Sequence, residues 1–132
     1  MFFASLLLLG KVIFAAGFPQ PVGYVNDFAD IISPATKLEL ETNLKNFEAS
    51  SSHELAVVTL VSLDGDVIEN VAVELFQQWS IGKKDADNGV LLLIAPNERK
   101  LRIEVGYGLE PILTDARSGT IIRDVITPEF KN

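Results

Sequence analysis

Two runs, "ELAVVTLVS" (Glu54 to Ser62) and "GVLLLIA" (Gly89 to Ala95), do most to limit what this chain can fold into. Both are rich in aliphatic and β-branched side chains, and neither alternates apolar with polar. Strands of that kind are covered on both faces, as in the interior of a parallel or mixed sheet. Between them, Ile68, Val71, Ala72, Leu75 and Trp79 recur at helical spacing and define one apolar face. Strand, helix and strand then read as a crossover that joins parallel neighbours.

The flanking segments extend this unit. The turn "PNER" leads into "KLRIEVG", which does alternate, with Leu101, Ile103 and Val105 inward and Lys100, Arg102 and Glu104 outward. That pattern predicts an antiparallel hairpin strand nearer solvent. Ser33-Pro34 supplies an N-cap and a proline at the first helical position, with Leu40, Leu44 and Phe47 on one face of the helix that follows. Residues 18–32, with two prolines, read as an extended lead-in. Asp66 and Glu69 have capping-box spacing, and Gly82 can end the central helix. "TDARSGTIIRDVI" is a last helix capped by Thr114 or Asp115. The order α-β-α-β-β-α predicts an α/β protein, a three-layer α/β/α sandwich around a small mixed sheet.

Composition bounds the partners. The 132 residues fit one domain, and 48% apolar residues suffice for one core. "MFFASLLLLGKVIFAAG" reads as an export signal over residues 1–17, leaving a domain over 18–132. It is too short for the roughly 20 apolar residues of a membrane span. The net charge of −7 disfavours nucleic acid and favours cations, above all divalent metals. No cysteine is present, so thiolate sites are excluded, and the single histidine, His53, rules out a multi-histidine zinc centre.

The expected topology sorts the loops into two ends. One end collects His53, Asp85, Asp87, Asn88, Gly106, Tyr107, Gly108, Glu110 and Asp115; the other holds Asp64, Asp66 and the Pro96–Arg99 turn. Converging carboxylates repel one another unless a cation intervenes, and Ca²⁺ accepts several oxygens in flexible geometry. Asn88 and loop carbonyls would complete such a shell. Asp-Asn-Gly is equally ordinary turn chemistry, and Asp115 can serve simply as a cap. Sharper motifs fail. "DADNG" lacks EF-hand spacing, "GYGLEP" lacks the third glycine of a dinucleotide loop, and "LDGD" lacks the downstream lysine of an aspartyl-phosphate enzyme. Arg99, Lys100 and Arg102 read as a solvated turn and strand face.

The stretches "YVNDFADIIS", "WSIGKKDADNGVLLLIA" and "RKLRIEVGYGLEPILTDA", in this order, closely resemble the TPM domain family. That family takes its name from a thylakoid lumen protein, a photosystem II accessory protein and a nematode receptor modulator. The resemblance runs from about Val22 to Phe130 and implies an exported or membrane-tethered α/β/α domain of the periplasm or cell envelope. It also implies one more helix after "PEFKN". Asp27, Asp87, Glu110 and Asp115 match the family's acidic positions; Asn88, Gly106, Tyr107 and Gly108 are read from their own chemistry as a ligand or partner loop, with Tyr107 able to stack on a ligand or to anchor the core. Two functions follow from the resemblance. One is a Ca²⁺-binding accessory or repair module for an envelope membrane protein complex. The other is a metal-assisted acid phosphatase, with Asp87 and Asp115 on the ion and Asp27 as nucleophile or base.

Overall fold

The computed structural model describes residues 17–83 and 85–128. The leader expected over residues 1–17 thus falls outside them except for Gly17, as do Lys84 and everything after Pro128. Four strands form one sheet in the order β1 (Val25–Asp27), β2 (Glu54–Thr59), β3 (Gly89–Ala95), β4 (Lys100–Val105). The first three are parallel and β4 runs antiparallel to β3. The β2 and β3 spans agree closely with the two apolar runs.

The lead-in over 18–32 needs correction, because it contains the parallel edge strand β1. Three residues are too few to show a period, and Asn26 and Asp27 are poor strand formers. Side-chain bonds hold them there instead. Asn26 is fully buried; its Oδ1 accepts from Val22 N–H at 2.7 Å, and its Nδ2 donates to Gly23 O and Val57 O.

Helix α1 (Pro34–Ser51) begins as expected, with the Ser33 side chain accepting from Thr36 N–H. Leu40 and Leu44 of the expected face are half-buried, but Phe47 is 44% exposed, and the face also carries Lys37, Glu41 and Glu48, half-buried at helical spacing. The Glu41 carboxylate accepts from the N–H groups of Tyr24 and Val25, at 2.8 and 2.9 Å. Those donors lie on the open side of an edge strand, so a polar helix face closes an edge that would otherwise pair with another chain. Hydrophobic periodicity carries no trace of that.

Helix α2 (Ile68–Gln78) covers the opposite face of the sheet. Ile68, Val71, Ala72 and Leu75 pack on Ala56, Val58, Leu91 and Leu93, and Phe28 meets Trp79 edge-on at 6.2 Å. At roughly 2 kcal/mol for each large side chain removed from water, this layer is the main source of stability. The expected capping box is absent. Asp66 instead accepts from Val67 N–H and Asn70 Nδ2, and the cap residue is Val67. The helix also ends before Gly82, with Trp79 as its last cap.

In β4, Leu101 and Ile103 pair with Ile94 and Leu92 on the α1 side of the sheet. Arg102 and Glu104 therefore point to the α2 side. They lie at its margin and neutralise each other across 3.2 Å. The chain closes with α3 (Asp115–Ile121), capped by the Thr114 side chain and continued by a wider π-turn over Ile122–Ile126. With α1 reaching Asp27 through Lys37 and α2 on the other face, the fold is the three-layer sandwich expected.

Candidate functional site

At the end of the sheet where β3 starts and β4 finishes, two loops meet backbone to backbone. Gly106 N–H donates to Gly89 O at 2.8 Å, and Gly108 N–H donates to Asp87 O at 2.9 Å. A side chain at Gly106 would overlap the Asp87 carbonyl oxygen, and one at Gly108 would overlap that of Ala86. Glycine is what lets these loops touch. Tyr107, between the two glycines, is lifted away and stands 79% exposed. Asp87 itself adopts φ +47°, a left-handed conformation that aspartate tolerates better than most residues.

Beneath the rim, polar side chains fasten the loop to the rest of the fold. Asn88 is buried. Its Oδ1 accepts from Lys83 N–H at 2.8 Å, its Nδ2 donates to Ser52 O, and its carbonyl accepts from Glu54 N–H. It is a structural clasp, with both ends of its amide engaged within the fold. Glu54 Oε1 accepts from Gly82 N–H at 2.9 Å. The Tyr24 hydroxyl donates to Glu48, which also pairs with Lys83 at 3.5 Å. That hydrogen bond, followed by burial and the nearby carboxylates, pushes the Tyr24 phenol up to about 12. The His53 ring stands 6.4 Å from Phe47, and its buried Nδ1 has no hydrogen-bond partner among the described residues.

The expected acids separate into two groups. Asp85, Asp87, Glu110 and Asp115 are all exposed around the rim. Glu110 follows the 3-10 turn Tyr107–Leu109, and Asp115 opens α3. Asp87 and the Gly106–Gly108 turn are joined directly; Glu110 and Asp115 follow from that turn along the chain. Among the described residues no three acidic or histidine side chains lie close enough together to hold a metal.

Asp27 is elsewhere, and its inclusion with the other three is corrected. It pairs with Thr59, which pairs with Ile94, while Asp87 precedes Gly89. The two are separated by the length of β3, roughly 17 Å along the strand, plus two strand spacings. The Asp27 side chain is 1% exposed, and its Oδ2 lies 3.9 Å from Lys37 Nζ. Its Oδ1 accepts from Thr59 Oγ1 at 2.7 Å and Ile31 N–H at 3.1 Å, and its Oδ2 accepts from Ile32 N–H at 2.9 Å. Burial pushes its pKa up, but those three donors and the Lys37 charge prevail and hold the carboxyl below its usual range. A buried carboxylate stabilised in this way is a poor nucleophile and a poor base. Glu98 has a similar duty at the same end: Leu63 N–H and Ser62 Oγ donate to it and lower its pKa against a smaller effect of burial.

Sequence reasoning missed Asn26, Glu41, Glu48 and Glu54 as organisers. One signal was present for two of them: Glu41 and Glu48 share a helical face with Lys37 and Leu44.

The fold has solved relatives. The N-terminal domain of a P. gingivalis protein matches with 35% identity and a TM-score of 0.76, over 82% of this chain and 69% of that one. The N-terminal domain of the cg2496 protein from Corynebacterium glutamicum matches with 22% identity and a TM-score of 0.63, over 86% of this chain and 72% of that one. The latter supports the fold alone. No curated protein matches the sequence. A family model described as the TPM domain matches residues 25–132, from β1 to the last residue, so the chain belongs to the TPM domain family.

Proposed function

We propose that this chain is a binding module of an exported envelope protein, acting as an accessory to a membrane protein complex through the rim at Asp85–Asn88 and Gly106–Glu110. The observation that carries this reading is the division of its acids. Those held by internal donors, Asp27 and Glu98, are committed to the fold, and those free of such bonds surround an exposed tyrosine on a firmly held turn. Tyr107 offers a large amphipathic surface at low entropic cost, the usual composition of a recognition hot spot. Export rests on the leader-like residues 1–17 and on the family. Among the described residues no helix is long and apolar enough to cross a membrane.

Among the described residues no three acids cluster, so they do not form a closed calcium cage. A Ca²⁺ ion at this rim would take at most two carboxylates, with loop carbonyls and water completing its shell. That donor set belongs to the weak class of extracellular sites, about 10⁻⁴ to 10⁻³ M. Calorimetric titration with millimolar Ca²⁺ tests it. Saturable heat that disappears in Asp87→Asn and Glu110→Gln supports the reading, whereas heat that survives both substitutions, or no heat, removes the cation.

Phosphatase chemistry, the other function implied by the family, is less well supported, because Asp27, its candidate nucleophile or base, is buried and far from the rim. Turnover of a chromogenic phosphate ester that is lost in Asp87→Asn would restore it.

A further inference from the structure

The sheet ends in two edge strands, and they are treated differently. At β1, the Glu41 carboxylate of α1 takes up the outer N–H groups. At β4, the last strand of the order, no strand pairs with the outer side among the described residues. Gly106 N–H donates to Gly89 O across the β3–β4 ladder. By alternation, the backbone groups of Lys100, Arg102 and Glu104 face β3, and those of Leu101, Ile103 and Val105 face outward. Charges on an edge normally discourage a further strand. Here Arg102 and Glu104 sit two residues apart on one side of the sheet, opposite in sign and already 3.2 Å from each other.

We propose that β4 is a dimerisation edge, which pairs antiparallel with β4 of a second copy in a register centred on Ile103. Residues with outward backbone groups can pair only with others of the same kind, which leaves few registers. Centring on Arg102 sets two guanidiniums directly opposite, and centring on Glu104 sets two carboxylates opposite. Centring on Leu101 sets Lys100 against Arg102. Centring on Ile103 sets Arg102 against the partner's Glu104, and Glu104 against the partner's Arg102. Both pairs then fall at the closely spaced, non-hydrogen-bonded positions, where opposite charges stabilise and like charges destabilise. Leu101, half-buried, meets the partner's Val105 on the α1 side, and Ile103 meets its own counterpart. A two-fold axis through Ile103 makes these contacts twice and uses up both edges, so association stops at the dimer.

Two charge reversals test this, because each should fail alone and the two should succeed together. In sedimentation equilibrium the parent should show a mass that rises with concentration toward the dimer. Arg102→Glu and Glu104→Arg each place like charges opposite, and each should self-associate about tenfold more weakly. An equimolar mixture of the two variants is complementary again and should regain the parent's association. Loss of the internal Arg102–Glu104 pair cannot explain that rescue, since both chains in the mixture still lack it. In amide exchange, the N–H groups of Leu101, Ile103 and Val105 should gain protection as concentration rises. A parent that stays monomeric at millimolar concentration, single variants that associate like the parent, or a mixture that stays monomeric overturns the proposal. Equal protection of those N–H groups at every concentration also overturns it, because the edge is then held from within the same chain.

Discussion

Two sets of acids, Asp27 and Glu98 at one end of the sheet and the exposed rim acids around Asp87 at the other, are used in opposite ways. Around Asp27 and Glu98, carboxylates accept backbone N–H groups and hydroxyls of their own chain, and their pKa values are lowered for that reason. Around Asp87 the loops are joined by their backbones, by Asn88 and by the inner carboxylates Glu48 and Glu54, while Asp85, Asp87, Glu110 and Asp115 stand exposed at the rim. Counting acids in a sequence therefore says little about which can meet a ligand. What decides is whether neighbouring donors have already claimed them.

Breaking the loop junction should have the largest effect. Gly108→Ala places a methyl group against the Ala86 carbonyl and should destabilise the fold by about 3 kcal/mol in urea unfolding, well above ordinary surface changes. Asp27→Ala comes next, at about 2–3 kcal/mol, because it leaves the buried Thr59 hydroxyl and two N–H groups without their acceptor. Glu41→Ala frees two edge N–H groups, which water can partly satisfy, and should lose about 1 kcal/mol. At the rim, Asp87→Asn should stay within about 0.5 kcal/mol of the parent, since asparagine tolerates the same left-handed φ.

Acid titration sharpens the contrast further. Asp27 has a folded pKa below its unfolded value of about 3.9, so its contribution is complete above that value. The contribution is lost as pH falls through the lower folded pKa. Melting temperature against pH should thus fall less steeply below pH ~4 in Asp27→Asn than in the parent.

Much of the fold was legible. Gly89–Ala95 and Glu54–Thr59 read as buried strands because the runs are short, continuous and bounded by turn residues, and Ile68 to Leu75 could bury only one helical face. The unread parts are polar. β1 exists through Asn26 and Glu41, whose partners are distant in sequence and leave no period to detect. The rim was located correctly for Asp87 and Tyr107, because their loops had to flank β3 and β4. The clasp made by Asn88 is not written in its residue type, and Asp27 could be assigned to either end until the β1 register placed it.

Carboxylate-resolved NMR during a Ca²⁺ titration tests the division of labour most directly. The side-chain carbons of Asp87 and Glu110 should move with added ion while Asp27 stays fixed at every concentration. A shift at Asp27 together with stationary rim carboxylates would contradict the account.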